Sequence, residues 1–451
     1  MVILRRASLT SGLECDIAIE GGVIVAIGER LAQRGTEIDC TGCTALPGLH
    51  DHHIHLLATA ARRRSLDLGG LRDASDIAHL LATASPGSDG WIRAIGYDER
   101  VAGLVDAAML DRWQPKHPVR LQDRTGALWI LNGRGLALIG GGSLPPGAER
   151  DASGHLNGRF WRADQWLAAA LGGSPPDLAE LGNALARYGI TDVTDAGAGN
   201  DNDTARILGS AHLAGELPQR LTVMGSEELG CGAGFIRGAL KLMIDERDPP
   251  DVVELARRIG RARRDARPVA AHCVTDVELA IYLAALSIAG GARAGDRIEH
   301  GALIDRDAIS VVGEMALIVV TNPAFIHARG QRYLEEMPQD RHHDLYRAAS
   351  LLGSNIQVLG ASDAPYGPLD PWLAMRTARD RRTQTGVILG GTDRVGSREA
   401  HALYGGTALE VGAAANLILC RGQWKNILAD LSADRVALTL IGGSIRHQNG
   451  I

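Results

Sequence analysis

Residues 46–56 read LPGLHDHHIHL, four histidines and an aspartate in one apolar segment. Imidazole and carboxylate are the side chains that bind divalent transition metals, so this stretch is a candidate metal site if a strand or helix aims them together. In a strand alternate residues share a face, which puts Asp51, His53 and His55 on one side and His50 and His52 on the other. Both pairs spell HxH. The pair nearer the C-terminal end of the strand, His53 and His55, is expected to face inward, leaving His50 and His52 for packing or for support.

The rest of the chain suggests where that strand belongs. Short Val/Ile/Leu-rich runs alternate with helical stretches such as DVVELARRIGRARRDA, the signature of βαβ units. Eight runs are read: 45–55, 189–197, 220–225, 239–245, 268–274, 297–301, 316–323 and 356–363. Eight strands with helices between them predict a (β/α)8 TIM barrel, whose strand C-terminal ends collect at one face and carry the site. His53 and His55 then end strand one, Lys241 lies on strand four, His272 on strand five and His300 on strand six, while Asp363 ends strand eight.

The first and second runs are separated by residues 56–188, far more than an ordinary βα connection. An inserted α+β subdomain is expected over 61–180, with strands in GWIRAIGYD and VRLQDR and a helix in LRDASDIAHLLATA. The first 45 residues and residues 406–451 alternate apolar and polar with glycine punctuation, and are expected to pair into one small β-sandwich. The barrel then takes 46–60 and 181–405. IGGGSLPPG at 139–147 and the Pro-Pro pairs at 145–146, 175–176 and 249–250 read as turns.

Composition narrows the function. Lys+Arg 47 against Asp+Glu 53 gives a net charge of −6. The basic clusters, Arg62-Arg63-Arg64, 257–267 and Arg379-Asp380-Arg381-Arg382, read as solvated helix faces rather than nucleic-acid contacts. No apolar run approaches the roughly 20 residues of a membrane span. The opening MVILRRASLTSG turns polar too soon for a signal peptide, so a cytoplasmic protein is expected. Six dispersed cysteines do not make a disulfide scaffold, and Cys40-Thr41-Gly42-Cys43 runs into a strand, TALPGL, where a redox pair needs a helix. There is no G-x-S-x-G elbow and no phosphate-binding glycine loop.

The motifs resemble the amidohydrolase superfamily, within it the amidohydrolase-3, YtcJ-like group. PGLHDHHIHL is similar to its PGFxDxHxHL, GWIRAIGYDE to GWIxGxGWD, YGITDVTDAG to GITSVxDxG, GALKLMIDE to the strand-four lysine motif, VAAHCVTD to HxxGD, RIEHG to the strand-six histidine and LGASDAPYGPLDPW to GSDxPxxxxDP. The matches run in order over almost the whole chain.

The resemblance implies that His53, His55 and Asp363 hold the more buried of two divalent ions and His272 and His300 the more exposed one. Lys241, carbamylated by carbon dioxide, would bridge them; an ammonium has no lone pair for a metal. A salt bridge from Lys241 to Asp245 is the plainer alternative. Zinc suits these ligands, with manganese, iron or cobalt as other choices. Asp363 would act as general base and then acid, and one ion with one histidine, His300, would polarise the scissile carbonyl of an amide-like C–N bond in a small-molecule substrate.

Three departures fall where a substrate would be selected. GALWILN lacks the histidine of the group's GHxxxxN, Glu246 replaces a glycine, and Tyr97 replaces a tryptophan. Tyr97, Asp98, Arg124, Trp129, Asn322, His327 and Tyr366 are substrate-binding candidates by loop position, Arg124 because its fork fits a carboxylate. His327 with Arg329 could equally be an exposed loop pair, and His342 and His343 read as a solvated helix face. Two rivals stay open: a mononuclear aminohydrolase (deaminase), which needs no strand-four lysine but expects a glutamate shuttle near His272, and a metal-free small-molecule-binding regulator. A homodimer is the default assembly.

Overall fold

The computed structural model describes residues 1–33, 35–87, 89–139, 143–171 and 176–450. Residues 140–142, in the expected 139–147 turn, and Pro175, of the second Pro-Pro pair, lie outside them. Two compact units emerge, residues 1–56 with 178–451 and residues 57–177.

The first unit holds eight parallel strands in sequential order, here β1 (Leu49–Ile54), β2 (Ile190–Asp195), β3 (Arg220–Gly225), β4 (Ile236–Leu242), β5 (Val269–Cys273), β6 (Arg297–His300), β7 (Ile318–Thr321) and β8 (Val358–Gly360). Strands covered on both faces read as continuous buried runs, and ITDVTD on β2 is buried at all six positions. Several helices between the strands start on side-chain caps. Asp251 accepts from Glu254 N at 2.8 Å, and Thr275 and Glu278 form a reciprocal capping box.

The eighth run stops being a strand at Gly360, three residues before Asp363. β8 and β1 share no ladder. They are sewn together beyond it: Asp363 N donates to His53 O at 2.8 Å and His55 N donates to Ala364 O at 2.9 Å.

The expected first run, 45–55, is two strands broken at Gly48. Cys43–Pro47 pairs antiparallel with Leu417–Arg421, which joins both chain ends in one eight-stranded sheet. The sheet curls back on itself, with Ile24 N donating to Ala413 O and Gly412 N to Ile24 O. Its core gathers Leu4, Ile17, Ile24, Leu417, Leu419 and Leu438. At Gly48 the chain passes from this sheet to β1 so close to β2 that a Cβ would sit 2.2 Å from Thr191 Oγ1. Cys40 and Cys43 are buried free thiols, raised in pKa by burial.

The second unit is a six-stranded sheet in the order 148–150, 156–161, 128–131, 119–123, 92–97, 66–67, flanked by short helices that include Ala74–Thr83. Its two cores gather around Leu81, Leu110 and Leu121 and around Trp91, Trp129 and Phe160.

The basic clusters are not all solvated faces. Arg263 pairs with Asp296 at 3.1 Å with both side chains buried. Arg267 spends its guanidinium on the carbonyls of Gly238, Ser226, Gly225 and Ala239, and Arg381 on those of Leu389, Tyr346 and Leu345. Each buried fork finds its hydrogen-bond partners in main-chain carbonyls. Among the described residues no helix is long and apolar enough to cross a membrane.

Candidate metal centre

The backbone of β1 is held in place by two buried carboxylates. Asp51 Oδ1 accepts from His53 N at 3.3 Å and from Ser362 N at 3.0 Å, and Asp195 Oδ2 accepts from Leu56 N at 2.7 Å. His53 and His55 are thereby pinned on both sides. His50 and His52 stack on the opposite face with ring centroids 3.8 Å apart, His50 Nε2 meeting Thr194 Oγ1 at 2.9 Å. Burial pushes His50 down to about 4.

The ligand atoms of His53, His55 and Asp363 lie within 4.8 Å of one another. Asp363 Oδ1 is 3.4 Å from His53 Nε2 and 3.3 Å from His55 Nε2, and Oδ2 is 3.9 Å from His300 Nδ1. The His300 ring stands 4.8 Å from His53 and 4.7 Å from His272, so five of the six expected residues form one continuous group. The sixth, Lys241, is buried on β4 with Nζ 3.9 Å from Glu299 Oε2. Asp245, the alternative partner, binds Arg247 instead.

Two members of the group hold left-handed backbone, His300 at φ 70° and Asp363 at φ 53°. Outside glycine that conformation costs on the order of 1–2 kcal/mol per residue and tends to mark functional sites. At His300 it has a visible effect. Strict strand alternation would send Glu299 and His300 to opposite faces, yet both meet His53.

Glu299 is the residue that sequence reasoning missed. It lies inside the RIEHG motif, of which only His300 was given a role. Its carboxylate, fully buried, accepts from His53 Nδ1 and from the guanidinium of Arg297, which also donates to His52 O at 2.7 Å. Burial alone would raise Glu299, but Arg297, Lys241 and His53 hold it well below the usual carboxylate range. An anionic acceptor on Nδ1 sets the tautomer of His53, leaving its Nε2 as a lone pair. Asn322 does the same for His300. Its Nδ2 donates to Ala361 O at 3.2 Å, so its Oδ1 accepts from His300 Nδ1 at 2.8 Å.

The donor set fits divalent metal. Burial drives His53 and His300 well below their usual range, against the opposing pull of Glu299 and Asp363, and His272 to about 4, so all three are neutral ligands near pH 7. Burial would raise Asp363, yet its surroundings, a hydrogen bond from His55 among them, keep it lowered and ionised. His53 Nε2 therefore presents a lone pair to a carboxylate oxygen, two acceptors face to face, which a cation between them resolves. Burial also lowers Lys241, and its Nζ has no hydrogen-bond partner among the described residues.

The substrate candidates separate. Asn322 is wholly buried behind His300. The Tyr366 ring stands edge-on to His55 at 5.6 Å and is 55% exposed. His327 lies on helix Ala324–Glu336, not on a loop, and its carbonyl accepts from Gln384 N at 3.0 Å. In the second unit, Tyr97 is buried and its hydroxyl donates to Gly103 O at 2.7 Å. Asp98 caps helix Glu99–Ala102 and pairs with Arg100 at 2.6 Å and with Arg124 at 3.5 Å. Trp129 is buried with Arg93 Cζ 5.2 Å above its ring. His342 and His343 fall on a 3-10 helix, Gln339–Asp344, with His343 beside Asp344 at 3.3 Å.

A parallel eight-stranded barrel with histidine, aspartate and lysine gathered at its strand ends is the architecture of a metal-dependent hydrolase. The chain belongs to the amidohydrolase family, whose model matches residues 36–446, and it is an enzyme acting on C–N bonds. It is 24% identical to the N-substituted formamide deformylase of Arthrobacter pascens, over 96% of this chain and 94% of that protein. It is 23% identical to the putative amidohydrolase YtcJ of Bacillus subtilis strain 168, over 81% and 80% respectively. Among solved structures, an uncharacterized metal-dependent hydrolase from Pyrococcus horikoshii OT3 shares the fold with a TM-score of 0.75, 18% identity and coverage of 94% of this chain and 98% of that one.

Proposed function

We propose that this protein hydrolyses an amide-like C–N bond, in an amide, cyclic amide, carbamate or N-acyl amine, at a centre of two divalent ions, with zinc the first choice. His53, His55 and Asp363 would hold one ion and His272 and His300 the other, with carbamylated Lys241 between them. The observation that carries the reading is Lys241: a buried amine, lowered by its surroundings and without a hydrogen-bond partner among the described residues, inside a group of neutral histidines. A neutral amine adds through its nitrogen to the carbon of carbon dioxide and loses one proton, and the resulting carboxylate is a metal ligand where the ammonium was none.

Bound ions supply Lewis acidity that polarises the scissile carbonyl and makes water acidic enough to attack near neutral pH. Asp363 accepts the proton of the attacking water and returns it to the leaving amine, a task suited to a carboxylate kept ionised at the centre. Glu299 and Asn322 hold His53 and His300 in the tautomers that ligation requires.

A second reading has one observation in its favour: among the described residues, His53, His55 and Asp363 are the group that converges tightly enough for a single ion, as a mononuclear deaminase would need. Against it stands Glu278, the nearest glutamate after His272. Its carboxylate is used by Val274 N at 2.7 Å and Thr275 N at 3.2 Å in the helix cap, so it is not poised as a shuttle.

The test is to incubate zinc-loaded enzyme in 18O-water with a panel of formamides, acetamides, lactams and aminated heterocycles. Release of amine with one 18O in the acid supports the proposal. Release of ammonia from the heterocycles alone contradicts it and favours deamination.

A further inference from the structure

Helix Ala324–Glu336 begins directly after β7, at the end of the barrel that carries the metal centre, and Arg329 lies on its second turn. The guanidinium is fixed twice. Its Cζ sits 3.8 Å from the centroid of the buried Phe325 ring, and Nη2 donates to Tyr366 O at 2.9 Å. Tyr366 belongs to the turn that starts at Asp363, since Tyr366 N donates to Asp363 O at 2.8 Å, and its ring stands 5.6 Å from His55. A cation is thus tied to the loop of the general base and, through one aromatic residue, to a metal ligand.

Arg329 has five N–H donors, yet one protein acceptor and no carboxylate within ion-pair distance among the described residues. Arg332, one turn further along the same helix, pairs with Glu336 at 2.6 Å. A planar fork held in place by stacking matches a carboxylate bidentately and loses little freedom on binding it.

We infer that Arg329 is an anion-binding, specificity-determining residue of the active site, and that the substrate is an acyl amine bearing a carboxylate near the scissile bond. This rests on the reading of the centre as hydrolytic. The bland alternative is that Arg329 only clamps the Asp363 turn, in which case charged and neutral substrates would suffer alike when it is replaced.

The experiment compares N-formylphenylalanine with N-formylphenethylamine, which differs by lacking the carboxylate, on zinc-loaded wild type, Arg329→Gln and Arg329→Lys. Binding is read by calorimetry and turnover by amine release. Wild type is expected to bind the acid about 10- to 100-fold more tightly than the neutral formamide. Arg329→Gln should abolish that ratio and Arg329→Lys keep part of it, with thermal melts confirming that both variants fold. A ratio near one in wild type, absence of binding by either compound included, or a ratio that survives Arg329→Gln, overturns the inference. Arg329-dependent binding of the acid without cleavage of either compound would uphold the anion site while removing the hydrolytic reading. Cleavage of both without preference would do the reverse.

Discussion

The amide of Asp363 donates to the carbonyl of His53 at 2.8 Å, so the end of the last barrel strand is fastened to the first at the two residues whose side chains face each other across the centre. The proposed general base and the first histidine are therefore placed by one backbone hydrogen bond, independent of what their side chains carry. Asp363→Asn keeps that bond and an oxygen ligand but cannot take a proton. Turnover should fall by about 10²- to 10⁴-fold with an unchanged circular dichroism spectrum. Wild-type turnover in this variant would remove Asp363 from the proton path.

Glu299 is buried between His53, Arg297 and Lys241. Glu299→Gln removes the charge that holds the His53 tautomer. Metal affinity, measured by competition with a chromogenic chelator, should drop about 10- to 100-fold. An unaltered affinity would reduce Glu299 to a packing residue.

His401 lies far along the chain from the proposed ligands, buried beside Trp372 and Trp424, with Nε2 unpartnered among the described residues and a pKa lowered by burial to about 4. Its folded pKa is below its unfolded value of about 6.5, so the unfolded chain binds the extra proton first. Its contribution is complete above about pH 6.5 and is lost as pH falls toward 4. His401→Phe should flatten the dependence of unfolding free energy on pH in that window by about 1.4 kcal/mol per pH unit, measured by urea titration. Parallel curves for variant and wild type would show that His401 is not neutral in the fold.

Gly48 passes Thr191 with no room for a side chain: an added Cβ would lie 2.2 Å from Oγ1 and 2.3 Å from Cγ2. Gly48→Ala should destabilise by about 1–3 kcal/mol, read from the urea midpoint, because Thr191 is buried in β2 and must move. An unshifted midpoint would mean that the junction yields freely.

The six candidate ligands were legible because a parallel barrel turns the ends of buried runs into one face, and those runs announce themselves as continuous apolar stretches. What escaped depends on partners remote in sequence or on local backbone. Glu299 meets His53 from the position just before His300, whose backbone turns left-handed at φ 70°. Arg267 and Arg381 are buried by carbonyls that no local pattern reveals, so they read as surface charge. The break at Gly48 hid inside one apolar run, and Asn322 passed for a pocket residue because its loop position is also the position behind His300.

A two-ion centre bridged by modified Lys241 stands or falls on its stoichiometry. Wild type and Lys241→Ala, each purified with bicarbonate and zinc, can be compared by elemental analysis alongside 13C NMR after growth and exchange in 13C-bicarbonate. About two zinc ions per wild-type chain are expected, together with a carbamate resonance. In Lys241→Ala that resonance is lost, metal is depleted, and activity is partly rescued by short carboxylic acids. One ion per chain without a carbamate signal, or full metal content in Lys241→Ala, would contradict the bridged centre.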